Sequence, residues 1–468
     1  MTEFRKLSAE DIKALEAIMP GRVLYGDRMA DDYDHDEMTE YGRFRPEAVL
    51  LAQSAQEVSG AMRYCYEHDI AVTPRGAGTG LCGGCVAKWG GILLSTERMR
   101  QVVEIDTRNM AVTLEPGILL MDMPKILAGT GLFYPPDPGE KSATIGGNVM
   151  TNAGGMRAVR YGVTRDYVLG MQVVLPDGEI IKLGGKIVKN SSGYSLLDLM
   201  IGSEGTLGIL TRVTLKLISE PRVNLSLLVP FADLDQCIEA VPKVLNCGEP
   251  TAVEFMEREV IKASEDYLGR HFPDNSADAY LLIRLDGPSR QALEPAVQEM
   301  TDLLLSLGAV DVLLADTDER KSTIWDARGA FLEAINSSTP SMDECDVVVP
   351  RDKIAEFVKS SMDIGAKLNL RMRSFGHAGD GNLHIYACKD DLSDEAWEPK
   401  RVAVMEALYA EAERLGGEVS GEHGIGHAKV VYLEGLEGKR QMDLMRGIKA
   451  VFDPKGILNP GKVVGAIN

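Results

Sequence analysis

The sequence predicts an α+β protein of two to three domains. Three observations carry that prediction. Strand-like runs between residues 48 and 218 are too irregularly spaced for a repeated βαβ array. Pro221 breaks the pattern, and a strand–helix–strand–strand–helix–strand run follows, the order of an antiparallel sheet with helices on one side. Glycine, 48 of 468 residues, is bunched at 76–91, 129–155, 178–208, 376–381 and 416–426, which marks backbone that turns tightly or closely approaches something else.

In chain order, Ser8 with Asp11 three residues on opens a short helix over 8–19. Residues 25–45 are polar and loop-like. AVLLA from Ala48 reads as a buried strand, the segment opening at Ser54 as an amphipathic helix, and IAVTP as a second strand running into glycines. GILLS and AVTLEPG read as further strands. MQVVLPDGEIIKL reads as a hairpin, because Pro176-Asp177-Gly178 is strong turn chemistry. ILTRVTLKLI is the last long β-run of this half. After Pro221 come VNLSLLVPF, a helix near 232–245, AVEFM, a helix near 257–266, AYLLIRLDG, a helix over 290–307 and AVDVLLA. The domains expected are 1–44, an N-terminal helix and loop; 45–220, a ligand-binding α+β domain; 221–415, the antiparallel domain; and 416–468, a Gly/Pro-punctuated segment returning to the first domain.

The charge balance, 50 Lys+Arg against 70 Asp+Glu for a net of −20, excludes a nucleic-acid binder held by phosphate contacts and a basic face docked on an anionic membrane. MTEFRKLSAEDIKAL has no apolar signal region, and no stretch approaches a membrane span, so neither a signal peptide nor a transmembrane segment is expected. Seven irregularly spaced cysteines argue for free thiols in a reducing compartment, and the location expected is the cytoplasm.

Residues 74–84, PRGAGTGLCGG, satisfy G-x-G-x-x-G at Gly78, Gly80 and Gly83 behind a strand. The context is wrong for a dinucleotide fingerprint, which needs a helix starting at the last glycine; here more glycines and another strand follow. A nest of backbone N–H groups that binds phosphate without a helix, with Arg75 adding charge and Thr79 a hydroxyl, and a plain strand–loop–strand stand level on this segment alone. Two further loops tip the balance: 135–155, with Asn148, Thr151 and Asn152 among glycines, and 202–210. Three loops of that kind in one domain suit a long polar ligand. Cys82-Gly-Gly-Cys85 is a lone CxxC and reads as small residues in a tight loop.

Four of the seven histidines fall in SFGHAGDGNLHIY (374–386) and GEVSGEHGIGHAK (417–429). Gly-Asp-Gly-Asn between His377 and His384 is a turn signal, so strand parity does not separate the imidazoles. Read for function, His377, His384 and Glu422 are two imidazoles and a carboxylate that suit Zn²⁺ or Fe²⁺ with positions left open, and His423 is free to act as a base. Read blandly, they are hydrogen-bonded histidines in turns. His427, four residues after His423, shares a helix face with it in this reading.

These motifs together resemble the FAD-binding vanillyl-alcohol-oxidase superfamily, in its glycolate oxidase / D-lactate dehydrogenase family, over roughly residues 45–468. The resemblance implies a two-part FAD-binding domain with a ferredoxin-like antiparallel-sheet cap domain. It implies FAD contacts at Pro74, Arg75, Gly76, Ala77, Gly78, Thr79, Gly80, Pro136, Asp137, Thr144, Gly146, Gly147, Asn148, Thr151, Asn152, Gly154, Gly155, Glu204, Gly208 and Ile209. No histidine lies between 68 and 271, so a non-covalent FAD is expected. His377 and His384 match the family's G-H-x-G-D-G-N-x-H motif and Glu422 its G-E-H-G motif, which implies a divalent metal, Zn or Fe. His423 matches the catalytic base, and Arg328 in IWDARGAF the substrate arginine.

The activity this implies is oxidation of a small D-2-hydroxy acid, D-lactate or glycolate, to the 2-oxo acid, with hydride going to flavin. The electron acceptor is open among a quinone, a partner iron–sulfur subunit, a cytochrome and an electron-transferring flavoprotein; the lack of a membrane segment or basic amphipathic helix favours a soluble protein such as the last. Relatives that oxidise D-2-hydroxyglutarate carry a Thr and a Lys shortly after that arginine; Leu332 and Glu344 stand near those positions and argue against a dicarboxylate. Arg371 and Arg373 are further candidates to face the site. The rival readings are a D-2-hydroxyglutarate-type enzyme, a metal-free flavin reductase fed by NADPH, and a non-catalytic flavoprotein that only relays electrons.

Overall fold

The computed structural model describes residues 4–465. The chain divides into two compact units: Met1–Gly154, Val163–Glu220 and Glu422–Asn468 form the first; Gly155–Gly162 and Pro221–Gly421 form the second.

The first unit holds two larger sheets and a two-stranded pair, Leu132–Phe133 with Ile218–Ser219. In the four-stranded one, Ala48–Leu51 and Val72–Arg75 flank Ile92–Ser95 in parallel, and Val23–Leu24 pairs antiparallel at the edge. Parallel strands buried on both faces read as continuous apolar runs; Ala48–Leu51 and Ile92–Ser95 are buried at every position. The helix Ala55–Glu67 starts where Ser54 accepts a bond from the Glu57 N–H, and its Val58, Ala61 and Met62 join Leu50, Val72 and Ile92 in one core. The helix Ala9–Ile18 begins with a full capping box between Ser8 and Asp11. The second sheet is antiparallel and five-stranded, with Ile209–Lys216 central and the hairpin Val168–Val174/Ile180–Gly184 on one side. That hairpin turns at Gly178, whose φ is +87°. A β-carbon there would also meet the Ser59 carbonyl at 2.6 Å.

The second unit is built on one seven-stranded sheet. Its strands are β1 (Val223–Phe231), β2 (Ala252–Glu257), β3 (Ala279–Gly287), β4 (Leu313–Ala315), β5 (Met342–Val348), β6 (Arg371–His377) and β7 (Asn382–Cys388). The spatial order is β4-β1-β3-β2-β6-β7-β5, and every pairing is antiparallel. The first four strands have the ferredoxin-like order expected after Pro221. The rest of the sheet is a second copy. β5, the helix Ile354–Leu368, β6, β7, the helix Asp394–Arg414 and a bridge from Val348 to Glu418 repeat the βαββαβ order. The copies join where β2 pairs with β6, Phe255 opposite Gly376 and Met256 opposite Phe375.

Candidate active site

In the first unit the three glycine loops interlock. A β-carbon on Gly205 would meet the Pro74 ring at 2.9 Å, and one on Gly202 would meet Asn152 at 3.3 Å. Gly76 lies directly against the Thr144 hydroxyl, so that no side chain fits there. Backbone bonds from Gly202 to Val149 (3.1 Å) and from Glu204 to Met150 (2.7 Å) tie the second loop to the third. No helix follows the first loop, which runs on to the strand Ile92–Ser95; the dinucleotide fingerprint is absent there.

The cradle has donors to spare. Among the described residues, the N–H groups of Gly76, Ala77, Gly78, Thr79 and Gly80 meet no acceptor. The buried Asn148 Nδ2 and Ser203 Oγ meet no hydrogen-bond partner among the described residues. Unsatisfied buried polar groups call for a ligand or water, and consecutive open amides suit an anion. The loops therefore fit a phosphate-bearing cofactor.

The Arg75 side chain departs from the expected role. Its guanidinium donates to the carbonyls of His35 (2.7 Å) and Asp32 (2.8 Å) and lies against Gly78, where φ is +84°. Its charge is spent on the 32–35 loop, so what Arg75 offers an anion is backbone. Around the other expected contacts, Thr144 caps the helix Ile145–Thr151, the Thr151 hydroxyl donates to the Gly147 carbonyl (3.0 Å), and Asn152 closes the helix in a left-handed conformation. Asp137 pairs with Lys141 at 2.6 Å. Pro136 is buried, Gly146 packs on Pro116, and Gly208 leads into the strand that begins at Ile209. Gly155 falls in the second unit.

The same loops hold the Glu422–His423 segment, which belongs to this unit. The Glu204 carboxylate accepts from the N–H of Ile425 (2.7 Å) and Gly426 (2.8 Å); burial raises its pKa while those two amides oppose the shift. The Cys82 carbonyl accepts from the His427 N–H at 3.1 Å. A β-carbon on Gly154 would meet Glu422 Oε2 at 2.9 Å, so the second glycine cluster makes room for that carboxylate. His423 Nε2 lies 3.7 Å from Glu422 Oε1. From the C-terminus, Asn459 Nδ2 bonds the carbonyls of Gly84 (2.9 Å) and Glu204 (2.8 Å), and Lys462 reaches those of Gly83 and Val86.

His427 corrects the helix-face reading. The next helix starts only at Val430, and the imidazole turns edge-on to Phe44 and Tyr41. Its Nε2 is buried and meets no hydrogen-bond partner among the described residues, and burial pushes its pKa down to about 3.

The second unit gathers its functional groups on one sheet face. The turn Ala378–Gly381 folds β6 onto β7, so that Phe375 lies opposite His384 and His377 opposite Asn382. Gly381, at φ +91°, abuts the Val349 carbonyl. The rings of His377 and His384 stand perpendicular with centroids 5.4 Å apart. Each presents Nδ1 to a carboxylate: His377 to Glu254 at 2.9 Å, His384 to Glu344 at 3.4 Å. His377, so bonded, offers its other nitrogen, Nε2, to a cation, and with His384 beside it the pair fits a metal site.

Phe331 lies against Phe375, with ring centroids 5.3 Å apart. The helix Asp318–Gly329, just before it in the chain, ends with Arg328 over the Phe375 ring at 4.6 Å. Arg328 Nε bonds Glu254 Oε2 at 2.9 Å, and Nη2 lies 2.6 Å from the same oxygen. Its Nη1 donates to no acceptor among the described residues. Burial pushes the Glu254 carboxyl upward, but His377 and Arg328 outweigh that and hold it below the ordinary value.

Glu254 went unnoticed in the sequence. The available signal was one acid in the apolar strand AVEFM. Asp346 also went unnoticed. It accepts from Asn382 Nδ2 (2.8 Å), Ser420 Oγ (2.9 Å) and the Gly421 N–H (3.1 Å), one residue before Glu422. Arg371 is taken up by Asp390, and the Arg373 guanidinium turns back to the Met372 carbonyl.

The FAD binding domain family matches residues 46–184, and the FAD linked oxidases, C-terminal domain family matches 220–463. The chain is 49% identical over 467 residues to a D-lactate dehydrogenase of Anaerostipes hadrus, covering 98% of each. It is 40% identical to the glycolate oxidase subunit GlcD of Bacillus subtilis, covering 92% of this chain and 91% of that one. The solved structure of p-cresol methylhydroxylase superposes with a TM-score of 0.83 at 19% identity, over 98% of this chain and 97% of the other. The chain belongs to the FAD-linked oxidases of the vanillyl-alcohol-oxidase superfamily, in the glycolate oxidase / D-lactate dehydrogenase family, with the expected two-part FAD-binding domain and ferredoxin-like second domain.

Proposed function

We propose that this FAD-dependent hydroxy-acid dehydrogenase oxidises a small D-2-hydroxy acid, D-lactate or glycolate, to the 2-oxo acid. The observation that carries the reading is the fastening of the Glu422–His423 segment to the glycine loops that fit the flavin, through Glu204 and Cys82. Bound FAD supplies the acceptor for the hydride equivalent that leaves the substrate's Cα. A divalent cation, Zn or Fe, on His377, His384 and Glu422 would acidify the substrate hydroxyl and fix the face it shows. Glu422 is a fitting third donor because it follows Gly421 by one peptide bond, and Gly421 is anchored by Asp346 on the His384-bearing face.

The chain's own groups do the rest. His423 takes the hydroxyl proton, a task suited to an imidazole near neutrality. Arg328 offers Nη1 to the substrate carboxylate while its other edge is held by Glu254. The buried Glu344, bonded by the Tyr386 hydroxyl at 2.7 Å, places a carboxylate beside His384, which favours a monocarboxylate over D-2-hydroxyglutarate. A non-covalent flavin is supported by the Cys82 thiol, which is buried and donates to the Gly424 carbonyl.

Electrons then pass to a protein acceptor such as an electron-transferring flavoprotein. Among the described residues no helix is long and apolar enough to cross a membrane, and no disulfide links any of the seven cysteines, which suits a reducing compartment such as the cytoplasm.

The test is anaerobic flavin reduction by a panel of D- and L-2-hydroxy acids, before and after chelation, with His423→Ala alongside. D-Lactate or glycolate should bleach the flavin and chelation should abolish the bleaching. Purified protein without flavin absorbance, or full turnover by His423→Ala, refutes the reading.

A further inference from the structure

Glu254 is fully buried in the apolar strand β2, where an isolated carboxylate is strongly disfavoured. Its two oxygens are shared between Arg328 Nε (2.9 Å) and His377 Nδ1 (2.9 Å to each oxygen). These partners reach it from different elements, the end of the helix Asp318–Gly329 and the end of β6. We propose that Glu254 is a positioning residue that couples the substrate-binding arginine to the metal-ligating histidine. This inference rests on the function proposed above.

On the histidine side, a carboxylate at Nδ1 fixes the proton there and leaves Nε2 as the ligating atom, oriented and made more basic. On the arginine side, it occupies the Nε–Nη2 edge of the fork and leaves Nη1 for the substrate. Arg328 Nε and Nη2 both converge on the one oxygen Oε2, so Arg328 cannot rotate without breaking the charge-assisted bond that also holds Glu254. One side chain thereby sets the angle between two groups that would hold the same substrate, one directly and one through the cation. Glu254 could not be replaced in that role by Glu344 or Asp346, which serve His384, Tyr386 and the Ser420–Gly421 turn.

The experiment uses the flavin-loaded full chain carrying ¹⁵N-labelled histidine, with Glu254→Gln, Glu254→Asp, Arg328→Gln and His377→Gln. In metal-free protein the His377 resonances, assigned by their loss in His377→Gln, should report the Nδ1–H tautomer, and Glu254→Gln should shift that population. In competition with a zinc chelator, Glu254→Gln should weaken Zn²⁺ retention about 10–100-fold and also raise KM for the hydroxy acid. Arg328→Gln should raise KM without loosening the metal, and His377→Gln should loosen the metal with the smaller effect on KM. Glu254→Asp keeps the charge at shorter reach, should fall between, and serves if Glu254→Gln does not fold.

An Nε2–H tautomer at His377 in the wild-type protein overturns the proposal. So do Zn²⁺ retention and KM within twofold of wild type in Glu254→Gln. Wild-type protein that takes up no metal and is reduced by no 2-hydroxy acid overturns the parent reading instead.

Discussion

Gly426→Ala probes the seating of the catalytic segment without touching any group assigned to chemistry. Gly426 has φ +52°, and a β-carbon there would overlap the Cys82 carbonyl and stand 2.9 Å from the Gly84 nitrogen. Both neighbours are backbone and cannot rotate aside. A left-handed conformation costs alanine about 1–2 kcal/mol, and forced overpacking adds about 1–3 kcal/mol. That strain is comparable to what the local hydrogen bonds return, each about 1.5–3 kcal/mol when a carboxylate is the acceptor, and Glu204 accepts two of them here. The segment should therefore reseat and leave the rest of its unit folded. His423 lies three residues upstream, and a displacement of about 1 Å in a positioned group costs on the order of 100-fold in rate. Stopped-flow flavin reduction by D-lactate should thus fall about 100-fold at normal flavin content. A rate within threefold of wild type would refute the argument that Glu204 and Cys82 hold the base in place.

Gly447→Ala is the matching control. It lies in the helix Val430–Phe452 with nothing within 4 Å of a β-carbon, so it should raise thermal stability by about 0.5–1 kcal/mol and leave the rate unchanged. Asp346→Asn removes the anion that gathers Asn382, Ser420 and Gly421; it should lower kcat and metal retention together, read by turnover and metal analysis, with flavin binding intact. His427 should be an acid-sensitive point. Its folded pKa of about 3 lies below the ordinary 6.5, so its contribution is complete above pH 6.5 and fades as pH falls toward 3. The loss by pH 5 is about 2 kcal/mol. His427→Gln should flatten that limb in denaturant melts run at pH 7 and pH 5, and an unchanged pH slope would count against the buried neutral imidazole.

The parts of the fold that were legible in the sequence are those where local chemistry and tertiary demand agree. Ser8 and Ser54 cap helices as their spacing predicts. Pro176-Asp177-Gly178 makes its turn, and Gly-Asp-Gly-Asn separates β6 from β7. The glycine loops were legible because a backbone that must lie against a hydroxyl or a carbonyl tolerates no side chain, and this restriction shows in composition.

The second ferredoxin-like copy was not legible, for a reason that also explains the missed site residues. Its first strand, β5, reads Met-Asp-Glu-Cys-Asp-Val-Val, which carries no apolar strand signal, yet Asp343, Glu344 and Asp346 are all buried. Each is satisfied by a group distant in sequence: Asp343 by Arg401 at 2.8 Å, Glu344 by Tyr386, and Asp346 by Asn382 and the Ser420–Gly421 turn. Glu254 in β2 is the same case, answered by Arg328 and His377. An acid in a strand reads as a surface residue until its partner is known, and these partners lie tens of residues away. Buried carboxylates are tolerated only when paired and hydrogen-bonded, so acids gathered on the sheet face that carries both histidines mark where the fold accepts a desolvation cost that a purely structural sheet would avoid. In this chain Glu254, Glu344 and Asp346, which break the hydrophobic pattern on the histidine-bearing face, complement the sign that the histidine motif already gave.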